Sequence, residues 1–242
     1  MKRVLITGVS RPAGIGVKLA ARFAEEGYEV LVHGSSQYDQ ELQYSDAGHE
    51  ADLPDHIIRL KDSDLSVAEN IQTLFEEMGQ VDHLVLNHAY STMNELGEWS
   101  YEEINRHLIT NVTASMLLIQ AYSKQASDGC ITLFTSGQSK GPMPEEIPYA
   151  VSKEAISELG RQSAFILSEK NIRVNVVNPG PTDTGYMDKE SEIYQNIASR
   201  FNQKRWGMPE DIANLVLFLH SEQGKWITGE VISSEGGFNR FK

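Results

Sequence analysis

A glycine-bearing loop stands between an apolar run and an amphipathic stretch at the start of this 242-residue chain. Lys2 to Thr7 reads as a short, fully buried strand. Ile15 to about Glu26 reads as a helix, with Val17, Leu19, Ala20, Phe23 and Ala24 on its apolar side and Gly27 at its end. Glu29 to Val32 reads as the next strand. The connection is Thr7-Gly8-Val9-Ser10-Arg11-Pro12-Ala13-Gly14-Ile15-Gly16. Gly8 allows the chain to turn off the strand. Gly14 lets backbone N–H groups approach a pyrophosphate, and Gly16 permits close helix–strand packing. A βαβ opening commits the chain to a parallel sheet, which is why this stretch constrains the fold most. The glycines alone also suit an ordinary βα turn, so the rest of the chain has to supply context.

The alternation continues. Strands are expected at Ile57–Leu60, Val81–Asn87, Gly129–Phe134, Ile172–Val177 and Trp226–Ile232. Helices are expected at Ser66–Met78, Ser100 to about Gln125, Pro148 (as first helical residue) to about Ser168, and Ile212–Leu219. Residues 37–50 are rich in Gln, Tyr, Asp and Ser with weak periodicity, and predict a short helix or an irregular loop. Gly137 to Pro144 is too rich in Gly and Pro for regular structure. Gly185 to Phe201 is polar and is expected to form a mobile cover over substrate. No linker, charge block or repeat interrupts the chain. One α/β domain over residues 1–242 follows: a Rossmann-type, doubly wound parallel sheet of about seven strands with helices on both faces.

Composition narrows the function. A net charge of −13 argues against nucleic-acid or anionic-membrane binding as the main activity. No apolar run reaches the length of a membrane span. Met1-Lys2-Arg3 precedes an apolar run too short for a signal segment, so a cytoplasmic protein is expected. The single cysteine, Cys130, excludes an internal disulfide framework and reads as a core residue. The seven His show no H-x-x-x-H pair, so no metal site is expected.

Tyr149-Ala150-Val151-Ser152-Lys153 carries the chemistry. On a helix, Tyr149 and Lys153 are neighbours one turn apart. A cation beside a phenol favours the phenolate and makes it a usable proton donor and acceptor. A chance Y-x-x-x-K occurs roughly 0.4 times in a chain of this composition, so the motif needs support. Asn111 lies in the middle of a helix, where Asn is a mediocre former. It is either a solvent-facing residue or, given Ile109, Val112, Met116 and Leu117 around it, a buried one.

Together these features resemble the short-chain dehydrogenase/reductase family over essentially residues 2–239. The loop is similar to the family's T-G-x-x-x-G-x-G fingerprint with two extra residues, most simply Pro12-Ala13. Ser136 precedes Tyr149 by 13 residues, the family's spacing between catalytic Ser and Tyr. The resemblance implies Ser136, Tyr149 and Lys153 as the catalytic set. Asn111 would kink its helix and hold a water in the proton relay. It implies cofactor contacts at Gly8, Ser10, Arg11, Gly14, Ile15 and Gly16. Asp64-Leu65 matches the pair beside the adenine; Asp64 also reads as an ordinary helix-start residue. Asn87-His88-Ala89-Tyr90 resembles the family's Asn-Asn-Ala-Gly, with His88 and Tyr90 departing from it. His88 reads as a structural adjustment, while Tyr90 places an aromatic ring near substrate or shifts the backbone. Pro179, Gly180, Thr182 and Thr184 match the turn that meets the nicotinamide amide. Tyr149 and Lys153 also meet the cofactor ribose in the family.

The implied reaction interconverts a carbonyl and a secondary alcohol using NADP or NAD. At the end of the second strand stands His33-Gly34-Ser35-Ser36, with no carboxylate to select NAD. Arg11, Ser35 and Ser36 can face a 2′-phosphate, and His33 can stack on adenine or bond the ribose, so NADP is preferred. The acidic stretch Asp39 to Asp55 opposes that preference if it lies close. The general look is nearest the 3-oxoacyl-acyl-carrier-protein-reductase-like group, so the substrate is a 3-oxoacyl thioester or a small ketone. Lys124, Lys140 and Lys170 are the candidates for a basic docking patch. The enoyl-reductase branch also has a longer glycine loop, but its Tyr and Lys are spaced more widely. A homodimer or homotetramer through the helices of Asn111 and Tyr149 is implied as well. The reading from a different class is a nucleotide-binding regulatory or scaffold protein. Its signature would be loss of Ser, Tyr or Lys from the catalytic set, and all three are present.

Overall fold

A computed structural model of the chain describes residues 1–41, 46, 49 and 51–238. Seven parallel strands make one sheet: β1 (Arg3–Thr7), β2 (Glu29–His33), β3 (Ile58–Arg59), β4 (His83–Leu86), β5 (Cys130–Phe134), β6 (Arg173–Asn178) and β7 (Val231–Ser233). Their spatial order is β3-β2-β1-β4-β5-β6-β7. The winding direction therefore reverses between β1 and β4, where Thr7 stands opposite Leu86. A crevice opens beyond the carboxyl ends of strands at such a reversal.

Period-two alternation divides the strand side chains between two cores. Leu5, Leu31, Leu84, Ile131 and Val174 pack under α3 (Ala68–Met78), α5 (Ala114–Gln125) and α6 (Ile147–Leu167). Val4, Ile6, Val30, Val85 and Val177 pack under α1 (Ile15–Glu25) and α8 (Pro209–His220). The shorter helices are α2 (Ser36–Glu41), α4 (Tyr101–His107) and α7 (Glu192–Ser199). Local chemistry sets the helix ends. The Ser100 hydroxyl accepts the Glu103 N–H at the start of α4, and Ser191 does the same for Tyr194 at α7. At the end of α1, Gly27 takes φ +80° while Tyr28 N–H bonds Phe23 O and Gly27 N–H bonds Ala24 O.

Several expected boundaries move. The helix from 100 to 125 is continuous, but Leu108–Thr113 winds as a π-helix between α4 and α5. Gly137–Lys140 forms a 3-10 turn where only loop was expected, and Pro148 is the second residue of α6. The polar segment 185–201 contains α7, because Ser191 caps it. The third strand is reduced to Ile58–Arg59 and the third helix begins at Ala68. The last strand starts only at Val231. Upstream, the Thr228 hydroxyl accepts Val174 N–H and Asn175 Nδ2 donates to Ile227 O, so side chains supplement the backbone bonds of Gly229 and Glu230 to β6. Of residues 37–50, the first part is the helix α2, and 42–45, 47, 48 and 50 lie outside the described residues, as does position 239. Cys130 is fully buried in β5, and burial pushes its thiol up to about 12. Among the described residues no helix is long and apolar enough to cross a membrane.

Gly160 marks a close helix–sheet approach, since a Cβ there would collide with Val176 Cγ2 of β6. Gly160→Ala is expected to cost about 1–3 kcal/mol through overpacking. Urea unfolding measures it, and an unchanged midpoint would contradict this packing.

Candidate active site

The crevice between β1 and β4 holds a cavity of about 280 Å³ that runs from the glycine loop to Tyr149. Gly8 leaves β1 at φ +72°, and its carbonyl accepts a 2.9 Å bond from Asn87 Nδ2 at the end of β4. A Cβ on Gly16 would collide with that same carbonyl. Val9 N–H bonds His33 O at 3.0 Å, which ties the loop to β2. Gly14 is the N-cap of α1 and offers no capping side chain. The first N–H groups of α1 therefore open on the cavity wall formed by Gly14 and Ile15, a suitable place for an anion.

His33 forms part of the same wall. Its Nε2 pairs with Ser63 Oγ at 3.0 Å, while its buried Nδ1 has no partner among the described residues. Burial pushes its pKa down to about 4, so the ring is neutral at pH 7. An unpaired imidazole nitrogen on a cavity wall can serve a ligand hydroxyl. The glycine cradle, the helix terminus and this orphan nitrogen all fit a dinucleotide.

At the other end, Tyr149 and Lys153 share one face of α6, with Nζ 5.5 Å from the phenol ring centroid. Lys153 is 3% exposed and donates to Phe134 O at 3.0 Å. Burial lowers its pKa to about 8. The end of β5 is fastened to α6 in return. Thr135 Oγ1 donates to Lys153 O at 2.7 Å, and Gln138 Nε2 bridges Thr135 Oγ1 and Glu154 Oε2 at 2.8 and 2.9 Å. Ser136, whose N–H bonds Gln138 Oε1, is carried beside the catalytic helix by these bonds.

Asn111 is buried within the π-helical segment. Its Oδ1 accepts Tyr90 N–H at 2.7 Å, and its Nδ2 donates to Tyr90 O at 2.9 Å and to Ser152 Oγ at 2.8 Å. Ser152 Oγ in turn donates to Tyr149 O at 2.7 Å. Four residues from three elements thus form one network under the phenol.

The comparisons with known proteins agree with this geometry. A family model described as Enoyl-(Acyl carrier protein) reductase matches residues 8–239. An uncharacterized oxidoreductase, YjdA of Bacillus subtilis, is 32% identical over 252 residues, covering 99% of this chain and 97% of the relative. The 3alpha-hydroxysteroid dehydrogenase of Mediterraneibacter gnavus is 35% identical over 246 residues, covering 97% and 96%. Among solved structures, BdcA in complex with NADPH superposes with a TM-score of 0.85 at 26% identity, covering 100% of this chain and 96% of that one. The chain belongs to the short-chain dehydrogenase/reductase superfamily.

Against the expectations for a short-chain dehydrogenase/reductase, the cavity collects Gly8, Ser10, Arg11, Gly14, Ile15, His33, Ser35, Asp64, Leu65, Asn87, Ala89, Tyr149 and Thr184. Gly16, Lys153, Pro179, Gly180 and Thr182 are not on its wall, nor are Asn111 and Ser136. Gly16 packs behind the loop, Lys153 lies beneath Tyr149, and Thr182 Oγ1 is turned to its own turn at Pro179 O and Gly180 O. Asp64 lines the cavity, and its Oδ1 accepts Ser66 N–H at 2.8 Å just before α3.

Of the 2′-phosphate candidates, Ser35 lines the cavity, while Arg11 and Ser36 are bonded to carboxylates. Arg11 Nε is 2.8 Å from Asp46 Oδ1, and Ser36 N–H and hydroxyl both bond the Asp62 carboxylate. The acidic stretch does lie close, because Asp39 is on the cavity wall. His33 pairs with Ser63 through Nε2, and its Nδ1 is buried.

His88 sits between Thr7 Oγ1 (2.7 Å from Nδ1) and Ser115 Oγ (3.4 Å from Nε2), and burial lowers its pKa to about 3. It also lines the cavity. Sequence reasoning missed Tyr38 and Arg106. Tyr38 reaches from α2 to bond Ser91 N–H at 2.9 Å, with its ring 5.5 Å from that of Tyr90. Arg106 lies 4.6 Å above the Tyr90 ring. The unusual Tyr90 was the available signal, since a buried ring has to find aromatic or cationic neighbours.

Lys153 gives a pH signature. Its folded pKa of about 8 lies below the unfolded value of about 10.4. The unfolded chain then binds more protons between these values, so stability rises with pH across that window and is flat, with respect to this group, below it. In Lys153→Met this part of the rise between about pH 8 and 10 is expected to vanish. Thermal unfolding of both proteins across that range checks it, and parallel curves would refute the assignment.

Proposed function

We propose that the chain is an NADP- or NAD-dependent oxidoreductase that interconverts a carbonyl and a secondary alcohol. The observation that carries this reading is the single cavity joining an uncapped helix terminus and orphan His33 nitrogen to Tyr149. Its relatives include dehydrogenases, and BdcA holds NADPH in its solved structure. The glycine loop, His33 and Thr184 would hold the dinucleotide. Bound nicotinamide supplies the hydride that reduces the carbonyl carbon.

The chain's own residues handle position and protons. The Ser136 hydroxyl donates a hydrogen bond to the substrate oxygen and fixes its orientation. Tyr149 donates its phenolic proton to that oxygen as negative charge develops on it. The Lys153 ammonium, 5.5 Å from the ring centroid, stabilises the charge left on the phenol. Asn111 acts through other groups: it fixes the backbone at Tyr90 and, through Ser152, at Tyr149. The substrate is read as a 3-oxoacyl thioester or a small ketone. None of the comparisons supports a non-catalytic scaffold.

We read the chain as one domain, because a single sheet carries the site and both cores. A homodimer or homotetramer fits the exposed Met116, Val151, Phe165 and Ile166 on α5 and α6. A cytoplasmic setting fits a chain whose cysteine is unpaired and buried.

Tyr149→Phe is expected to lower turnover roughly 10²–10⁴-fold while leaving cofactor affinity within about threefold. Stopped turnover of NADPH or NADH with a panel of ketones, beside direct binding titrations, measures both. A wild-type protein that binds cofactor yet shows no Tyr149-dependent oxidation would sink the enzyme reading. Light scattering on the eluting protein tests assembly: a monomer at micromolar concentration contradicts the oligomer.

A further inference from the structure

The loop between β1 and α1 carries two residues more than the family fingerprint, and a longer loop needs more to hold it. Within it, Gly14 N–H bonds Arg11 O at 3.0 Å. Further restraints come from carboxylates supplied by the crossover that follows β2. Asp46 Oδ1 accepts Arg11 Nε at 2.8 Å, and Asp46 Oδ2 accepts the backbone N–H of Ala13, one of the extra residues, at 3.1 Å. Asp39, 6% exposed, takes a side-chain hydrogen bond from Ser10. Three anchors of the loop, at Ser10, Arg11 and the Ala13 N–H, are therefore held by two acids.

Arg11 extends the hold across the crevice. Its Nη2 donates to Thr184 O at 2.6 Å. Beside that bond, a Cβ on Gly185 would stand 3.4 Å from Ala13 Cβ, so the extra residues touch the segment that follows β6. The guanidinium lies between Asp46 and a carbonyl, which directs it along the loop. A side chain bonded in this way is pre-organised, and pre-organised loops bind with less ordering cost.

We propose that Asp39 and Asp46 are positioning residues, an acidic clasp that holds the elongated glycine loop in its binding conformation, and that through Asp46 the clasp sets cofactor affinity equally for NADPH and NADH. This rests on the dinucleotide reading above. Asp46 and Arg11 act on the loop, so the presence or absence of a 2′-phosphate does not change their contribution, whereas the Asp39 carboxylate on the cavity wall also opposes a 2′-phosphate.

The test uses the full chain with Asp46→Asn, Asp46→Ala, Asp39→Asn and Arg11→Ala, with thermal unfolding to show that each variant is folded. Two readouts are taken: dissociation constants for NADPH and NADH by fluorescence titration, and hydrogen exchange of residues 9–14 in the ligand-free protein. The expected result is a loss of about tenfold or more in affinity for both cofactors in each Asp46 variant. Their ratio stays within about threefold of wild type, exchange of the loop accelerates, and Arg11→Ala combined with Asp46→Ala is no worse than either alone. Unchanged exchange in the Asp46 variants overturns the clasp, whatever the protein binds. A selective loss of NADPH in Arg11→Ala also overturns it, by making Arg11 a reader of the 2′-phosphate. If wild type binds neither cofactor, the dinucleotide reading fails and the affinity claim fails with it. The exchange data would then still report whether the acids order the loop.

Discussion

A buried ammonium group has to be compensated, and the way Lys153 is compensated organises the catalytic end of this fold. Its Nζ donates to the last carbonyl of β5, Phe134 O, while Thr135 Oγ1 donates back to the carbonyl of Lys153. The two bonds run in opposite directions between the same helix and strand end. They lock the rotation of α6 about its axis and fix its height over β5. Tyr149, one turn toward the helix N-terminus, inherits its position from that lock. Ser136 follows Thr135 in the chain and is placed by the same bonds. Leaving such a charge without a partner would cost several kcal/mol, so this geometry has few alternatives.

The second constraint is Asn111. An α-helix interior gives Asn little reason to be there. In the π-helical turn Leu108–Thr113 its side chain serves both the N–H and the C=O of Tyr90, and Ser152 as well. The polar groups of a turn with an aromatic residue in place of glycine are thereby satisfied, as buried groups require. The stack of Tyr38, Tyr90, His107 and Arg106 is the packing counterpart of that substitution. His88, neutral and held between Thr7 and Ser115, joins β1 to the helix of Asn111. These bonds and contacts hold Tyr38, His88, Tyr90 and Arg106 in place on the cavity wall.

The glycine loop is governed by different physics. Its glycines are steric necessities where backbone meets backbone, as at Gly8 and Gly16. Its extra length is handled electrostatically, by Asp39 and Asp46 from the β2–α2 side and by the carbonyl of Thr184 from the far side. Preference between NADP and NAD could not be read from Arg11 and Ser36 as residue types, because type does not reveal that both are bonded to carboxylates.

The sequence by itself determined the alternation of seven strands with helices, the βαβ opening and the pairing of Tyr149 with Lys153. These rest on local periodicity and on a one-turn helical spacing, both of which are written along the chain. Ser136, Asn111 and the cofactor residues were legible only through resemblance, since the distance from Ser136 to α6 is closed by a loop whose path the residues do not dictate. Only the tertiary structure decided where the strand ends meet, that Asn111 is buried in a π-helical turn, that α7 occupies part of the polar segment 185–201, and which acids grip the glycine loop. It also decided that Thr182 turns away from the cavity while Thr184 faces it. The reason is the same in each case. These features are bonds and contacts between segments far apart in the chain, and their energy exists only once the sheet has brought the segments together.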